Sequence, residues 1–468
     1  MIFTEPVFVV FLAVAFAAYW LLRSNELRLG VLLAASAIFY AWWNVWLLGL
    51  IGFVIVLSWL TANKAAALEA GSKARTRWLT LGIGLNLSVL AVFKYFNFFR
   101  ESGEELVRAM GFTPDWATVN IILPVGISFY VFQAISYIVD TARGDMQAEP
   151  RLRRVALYIA FFPQLVAGPI VRAASFFPQM ERTKKLTGGL LAAGAKAFIL
   201  GFVYKAGLAD NLAPLVDPVY TSEDLSVWSN AALIGATLAF AAQIYFDFAG
   251  YSLMAIGVAR WFGFFIPMNF NYPYIAASIQ DFWRRWHISL SSWLRDYLYI
   301  PLGGNRVGKW LTYRNLMITM LLGGLWHGAA WTFVAWGFLH GAGLAVHRYV
   351  FGNTGKWLGI GLSILATQFF VLLTWVAFRA ETFADMTTIW SAFTGLRDGG
   401  AQQLSWVVWT VPFILAVDAI FGTTDWKKLG RSQIMRRPAV YWGGLGALTA
   451  MVLALYPLEA APFVYFQF

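Results

Sequence analysis

The chain has 468 residues, 59% hydrophobic and 13% charged, with a mean hydropathy of +0.62 and a formal net charge of +11. Average soluble domains carry roughly 25% charged residues, so a soluble globular class is excluded. The basic excess is spread between apolar runs, which argues against nucleic acid and for the positive-inside bias of membrane loops. The absence of cysteine excludes disulfides, thiolate–metal sites and an acyl-cysteine intermediate on this chain.

The apolar runs are about 17–25 residues long, enough to cross a hydrocarbon core. They lack the strict alternation over about ten residues that marks a membrane barrel. They predict an all-α polytopic membrane protein with about twelve crossings, plus re-entrant and interfacial helices around a central tunnel. No linker, low-complexity tract or repeat divides the sequence, which reads as a single domain, 1–468.

In chain order, Pro6 to Leu22 is preceded only by the charge of Glu5 and followed by no small-x-small site, so it reads as a first span rather than a signal peptide. Arg23 and Arg28 follow it, and Leu29 to Ala62 is long enough for two spans turning near Asn44. Lys64, Lys73, Arg75 and Arg77 mark the inner side again, whereas Glu101, Glu104, Glu105 and Asp115 mark an outer loop. Pro124 to Tyr137 then places Ser128, Tyr130, Gln133 and Tyr137 along a span, either lining a channel or bridging helices. Arg143, Arg151, Arg153 and Arg154 return the chain to the inner side. Val155 to Val171 is short, broken by Pro163 and Pro169, and flanked on its far side by Arg172, Arg182, Lys184 and Lys185. Basic loops on both flanks favour a re-entrant element over a short tilted span.

Thr187 to Leu208 crosses outward to a loop with Asp210, Asp217, Glu223 and Asp224, and Trp228 to Val258 returns. Asp247 lies within that return span, a costly carboxylate that calls for an Arg or His partner. Arg260 to Arg314, Arg348 and Lys356, and the later group Lys427, Lys428, Arg431, Arg436 and Arg437 read as inner. Both chain ends then fall on the outer side.

All four histidines lie between Asp281 and His347. In DFWRRWHISLSSWLRDYLYIPLGGNR, aromatic and apolar residues recur at helical spacing with arginines between them. This predicts an amphipathic interfacial helix stopped by the Pro and Gly signals of PLGGN. Its bland reading is an anchor helix. The density of Arg284 and Arg285 beside His287 also suits a phosphorylated donor, because guanidinium groups bind phosphate bidentately. Further on, GGLWHG sets His327 between glycines in a run with no charged residue between Arg314 and Arg348. Such an imidazole is either a structural hydrogen-bonding group or a base at a site of close approach. His340 and His347, seven residues apart, read as packing or interfacial residues. The histidine spacings match no zinc motif, and without a G-x-S-x-G elbow a serine-hydrolase mechanism has no support.

FWRRWHISLSSWLRDYLYIPLGGNR, LLGGLWHGAAWTFVAWGFLHG, PVGISFYVFQAISYIVD and FFPQLVAGPI together resemble the membrane-bound O-acyltransferase family, over most of the chain from about Phe3 onward. Within the family, YLYIPLGGNR and the ending PFVYFQF resemble the branch that O-acetylates exported polysaccharides such as alginate. The resemblance implies transfer of an acyl group, acetyl in that branch, from an inner-side thioester such as acetyl-CoA or an acyl carrier, with no bound cofactor. It puts the family's WHG histidine at His327, as general base, and its second histidine at His287. The family's asparagine corresponds to Asn269 or Asn271. Arg284, Arg285, Trp286 and Asn271 are then assigned to the donor, and Trp326, Gly324, Asp247 and Gln133 to tunnel and support. The expected setting is a bacterial inner membrane, with both termini periplasmic. The expected partners are membrane lipids, an exported polysaccharide and an SGNH-type acetyltransferase on the export side. The D-alanyl-transferring branch, which lacks the PLGGN form, and lipid O-acylation are alternatives. A transporter would call for inverted halves and paired intramembrane charges, and no duplication is visible.

Overall fold

A chain this apolar satisfies its backbone locally, and the computed structural model is helical throughout, with no strand among the described residues. The structure describes residues 1–113, 120–352, 359–423, 438–454, 456 and 463–464. Asp115, Lys356, the basic group from Lys427 to Arg437 and most of the PFVYFQF ending lie outside them.

The helices are α1 (Pro6–Leu21), α2 (Asn25–Ala41), α3 (Leu47–Ala66), α4 (Lys73–Leu90), α5 (Phe96–Ala109), α6 (Ile127–Arg143), α7 (Leu152–Ala160), α8 (Phe162–Leu165), α9 (Ala173–Glu181) and α10 (Gly188–Phe202). They continue with α11 (Asp210–Tyr220), α12 (Asn230–Trp261), α13 (Ile279–Arg285), α14 (Ile288–Leu294), α15 (Lys309–His327), α16 (Trp331–Phe351), α17 (Ile360–Arg379), α18 (Phe383–Thr394), α19 (Val411–Thr423) and α20 (Pro438–Ala454). Among the described residues, six helical stretches are long and apolar enough to cross a membrane: Leu47–Ala66, Lys73–Ala109, Gly188–Tyr220, Asn230–Trp261, Ile360–Arg379 and Trp406–Thr423. Much of the remaining apolar sequence goes into shorter helices. The chain is a multi-pass membrane protein.

Two compact units divide the chain: residues 1–195 with 255–267, and residues 196–254 with 268–468. In the first, α2 and α3 are joined by a turn in which Asn44 accepts from the Trp46 N–H at 3.0 Å. The segment expected to be re-entrant folds as α7 and α8 with a break at Phe161, and is almost wholly buried. Its polar groups are met by protein: Tyr158 donates to the Val171 carbonyl at 2.8 Å, Gln164 to the Tyr158 carbonyl at 2.6 Å, and the Phe162 N–H to Ser36 at 3.1 Å. At the start of α2, Arg154 donates to Glu26 and, with Arg151 and Arg153 close by, holds that carboxyl below the usual carboxylate range.

In the second unit, α10 continues through a π-helical turn, Val203–Ala209, directly into α11. Asp210, expected in an outer loop, is therefore a helical residue, and it is buried. The α10 and α12 backbones touch at Gly201 and Gly250. A Cβ on either glycine would lie 2.5 Å or 2.7 Å from the other's carbonyl oxygen, so only glycine permits this approach.

Candidate active site

The region expected as one amphipathic helix from Asp281 is two short helices, α13 and α14, broken at Trp286–His287. His287 takes a left-handed backbone, φ 43° and ψ 55°, uncommon for a side chain of this size and typical of functional sites. The break turns the fully buried imidazole toward Asn269, whose side-chain oxygen lies 3.1 Å from His287 Nδ1. The same oxygen accepts from the Ser289 N–H at 3.1 Å and the Ser289 hydroxyl at 2.9 Å. A backbone N–H can only donate, so the amide oxygen faces Ser289. His287 Nδ1 must then carry the proton, which leaves Nε2 as the basic nitrogen.

His327 is the last residue of α15, where Gly328 turns to an extended conformation before α16 begins. The close glycines seat α15 against α16: a Cβ on Gly324 would lie 2.2 Å from the Phe333 carbonyl oxygen, and one on Gly337 would lie 2.4 Å from that of Met320. The His327 ring is buried among Trp326, Trp336 and Phe378, with centroids 5.1, 5.0 and 5.4 Å away. The His287 ring is 6.2 Å from it and 5.8 Å from Trp326. Thus two histidines forty positions apart in sequence share one aromatic chamber and can address one reacting centre.

His340 is used differently. Trp283 Nε1 donates to His340 Nδ1 at 3.3 Å, so Nε2 carries the proton and faces Thr374 Oγ1 at 3.1 Å. Thr374 in turn donates to the Val371 carbonyl. Both nitrogens of His340 are spent on structure.

Beside the chamber is a cavity of about 430 Å³ lined in part by Trp283, Arg284, Ser291, Arg295, His347 and Arg348. Three arginines line it, of which Arg295 is paired with Asp296 at 2.7 Å, and Trp283 connects it inward, since its ring lies 5.7 Å from Trp336, a neighbour of His327. Arg284 is exposed to this cavity. Arg285 is turned away: it grips both Asp281 carboxylate oxygens at 3.0 Å and the Asn271 carbonyl at 3.2 Å. Asn271 is exposed and meets Arg285 through its backbone. Trp286 is fully buried, stacked on Phe282 at 5.6 Å and tilted against Trp375 at 4.9 Å. The structure therefore brings His287, His327, Trp326 and Gly324 together, with Arg284 at the adjoining cavity. Gln133 belongs to α6 of the first unit, where its carbonyl accepts from Ser136.

Asp247 lies on α12 in the second unit, in a buried ion cluster. Lys205 Nζ is 2.7 Å from Asp247 Oδ1 and 2.6 Å from Asp210 Oδ1. The partner is thus a lysine rather than the Arg or His expected, because α10 and α12 cross at glycines and bring position 205 against 247. A lysine deep in an apolar run and a carboxylate in another were the sequence signal for this pair. Ser289, Arg295 and Arg348 were also missed. The arginines stand in the same basic segments as Arg284, and only the fold selects which of them face the cavity.

Two buried histidines, one with an imposed tautomer, thus stand beside an arginine-lined cavity in a multi-pass membrane protein. A model of the membrane-bound O-acyltransferase family matches residues 29–358, and the chain belongs to that family. It is an O-acyltransferase. The chain is 43% identical over 406 residues to the probable alginate O-acetylase AlgI of Azotobacter vinelandii, covering 86% of this chain and 80% of the relative. It is 43% identical over 405 residues to the probable alginate O-acetylase AlgI of Pseudomonas aeruginosa, covering 86% and 76%. A peptidoglycan O-acetyltransferase of Helicobacter pylori is 38% identical over 440 residues, covering 86% and 82%.

Proposed function

We propose that this chain moves an acetyl group from a thioester donor toward hydroxyls of an exported polysaccharide such as alginate, with His327 as the general base. The observation that carries this reading is the His287–His327 chamber, 6.2 Å between ring centroids, next to a cavity that presents Arg284, Arg295 and Arg348. The arginines suit the phosphates of acetyl-CoA or of a carrier's prosthetic group. A thioester carbonyl is already activated, so positioning and one proton transfer are the main demands. The acceptor O–H attacks the carbonyl carbon and His327 takes its proton. The C–S bond then breaks, and the thiolate leaves with a proton returned by the imidazolium. His287, held by Asn269, orients the donor.

In this reading the cavity opens on the inner face of a bacterial inner membrane, with both chain ends periplasmic. The acetyl group leaves on the export side, to an SGNH-type partner or to sugar directly. Relatives named as O-acetylases or O-acetyltransferases match over 86% of the chain or more, whereas those named teichoic acid D-alanyltransferases are 30–32% identical over about half of it, which favours acetylation of a polysaccharide. The deciding experiment maps acyl groups on exported polysaccharide from cells carrying the wild-type chain, His327→Ala or no chain. Loss of acetyl ester in the last two, at equal expression of the variant, is the expected result. Full acetylation with His327→Ala would remove that residue as the base, and unchanged ester without the chain would remove the substrate class.

A further inference from the structure

We propose that the carboxy-terminal residues Phe463 and Val464, seated by the Asp247–Lys205 pair, are positioning residues for His287. Lys205 alone would neutralise one oxygen of Asp247, and it does so at 2.7 Å. The other oxygen accepts from the backbone N–H of Val464 at 2.6 Å, across 217 positions of sequence. A charge-assisted hydrogen bond between buried groups fixes geometry strongly. Asp247 therefore both balances Lys205 and sets where this piece of chain lies.

That seat delivers one ring. Phe463 is 1% exposed, and its ring lies 5.1 Å from Tyr251 and 5.8 Å from Phe248. Phe248, the next residue after Asp247, meets His287 edge-on with centroids 4.6 Å apart at 85°. Asn269 fixes one nitrogen of His287, and the rings packed against the imidazole set its tilt about that bond. Phe248 limits the tilt, and Phe463 backs Phe248. One turn of α12 thus holds Val464 on one residue and braces the histidine with its neighbour. This inference rests on the reading that His287 serves acyl transfer.

The test uses the full chain in lipid vesicles, with acetyl-CoA as donor and alginate oligosaccharide as acceptor. Phe463→Ala is expected to lower kcat by about tenfold to 100-fold, the scale of a small misplacement of a reacting group, while the donor KM stays within about twofold. Phe463→Leu, which refills the space, recovers most of the loss. Val464→Pro removes the N–H that meets Asp247 and lowers kcat in the same way. In protein with 15N-labelled histidine, Phe463→Ala and Val464→Pro shift the His287 ring resonances and leave those of His340 in place. Wild-type kcat in both variants, or loss of kcat with unmoved His287 resonances, would overturn the proposal. Where Phe463→Ala gives no folded protein, Val464→Pro carries the same two outcomes. A His287→Ala control separates the failures. Full activity there sinks the role of His287 itself, whereas an inactive control beside fully active Phe463 and Val464 variants sinks only the bracing.

Discussion

The side-chain oxygen of Asn269 sits 3.1 Å from Nδ1 of His287 and serves Ser289 twice as well. One atom therefore decides the tautomer of a buried histidine and pins the loop that follows it. Replacing Asn269 by Ala leaves those donors without their acceptor in a dry site, at about 1–3 kcal/mol for a buried unsatisfied group. The expected result is a kcat at least about tenfold lower, with a reduced unfolding temperature in detergent. Asn271→Ala removes a side chain from an exposed position whose ordered contacts are through the backbone, so its effect on both measurements is smaller. Equal losses in the two variants would contradict this assignment.

The histidines of α15 and α16 separate by role. His327→Ala removes the proposed base and lowers acyl transfer by about 10²–10⁴-fold, with folded protein in normal yield. His340→Ala cuts hydrogen bonds to Trp283 and Thr374 and leaves a void among rings. Its signature is a lower unfolding temperature, with activity per folded molecule much less affected. Parallel measurement of yield, melting and kcat distinguishes the two; a thermally normal, inactive His340→Ala would reverse the assignment.

What the sequence disclosed of this site depended on where the information is stored. The histidines stood out because titratable side chains are rare in apolar runs, and the glycines of GGLWHG because close helix approach needs them. The single amphipathic helix read from Asp281 onward was cut in two, because the spacing of Phe282, Trp286, Leu290 and Trp293 fits a continuous helix equally well. What breaks it is a long-range contact, Asn269 to His287, that periodicity does not register. Lys205 and Asp247 were separately visible as charges in apolar segments, but their pairing depends on the crossing at Gly201 and Gly250. Basic loops on both flanks and two prolines marked Val155 to Val171 as an element that does not cross, and it folds as the short buried helices α7 and α8.

The arginines divide by what they already hold. Arg284 and Arg348 line the cavity, whereas Arg285 is committed to Asp281 and the Asn271 carbonyl. Arg284→Ala and Arg348→Ala are expected to raise the donor KM by about tenfold, the worth of one charged hydrogen bond, with kcat within about threefold. The KM increase should shrink as salt is raised, since both guanidinium groups keep contact with water and are screened. Arg285→Ala is expected to act through the α13 geometry, lowering stability and kcat together. A KM unchanged in both cavity variants would move the donor elsewhere.

Two adjacent glycines should respond differently to one added methyl group. At Gly324 the new carbon would meet a backbone oxygen 2.2 Å away, whereas at Gly323 it would meet the Leu294 Cδ1 methyl at 3.2 Å, which can turn aside. Gly324→Ala forces α15 and α16 apart, an overpacking cost of about 1–3 kcal/mol or more, and displaces His327 three residues on. Gly323→Ala is expected to fold normally and to keep most of its activity. Folded yield and transfer rate measured side by side test the pair, and equal behaviour would mean that the crossing is looser than these distances imply.

Lys205 carries the last expectation. Its ammonium sits between Asp210 and Asp247 with both partners almost inaccessible to solvent. Removing one member of a buried ion cluster costs about 3–5 kcal/mol, because the charges left behind have neither water nor a counter-ion. Lys205→Met therefore leaves two carboxylates facing one another in the second unit, and folded protein should be largely lost at growth temperature. Lys205→Met combined with Asp210→Asn and Asp247→Asn removes the charges together, and the amide introduced at position 247 keeps an oxygen for the Val464 N–H. That triple variant is expected to recover much of the folded yield, because what harms the single variant is uncompensated charge rather than a missing attraction. Yields and melting temperatures of the single and triple variants decide the point. A triple variant no better than the single would mean that the cluster stabilises the unit by its own attraction.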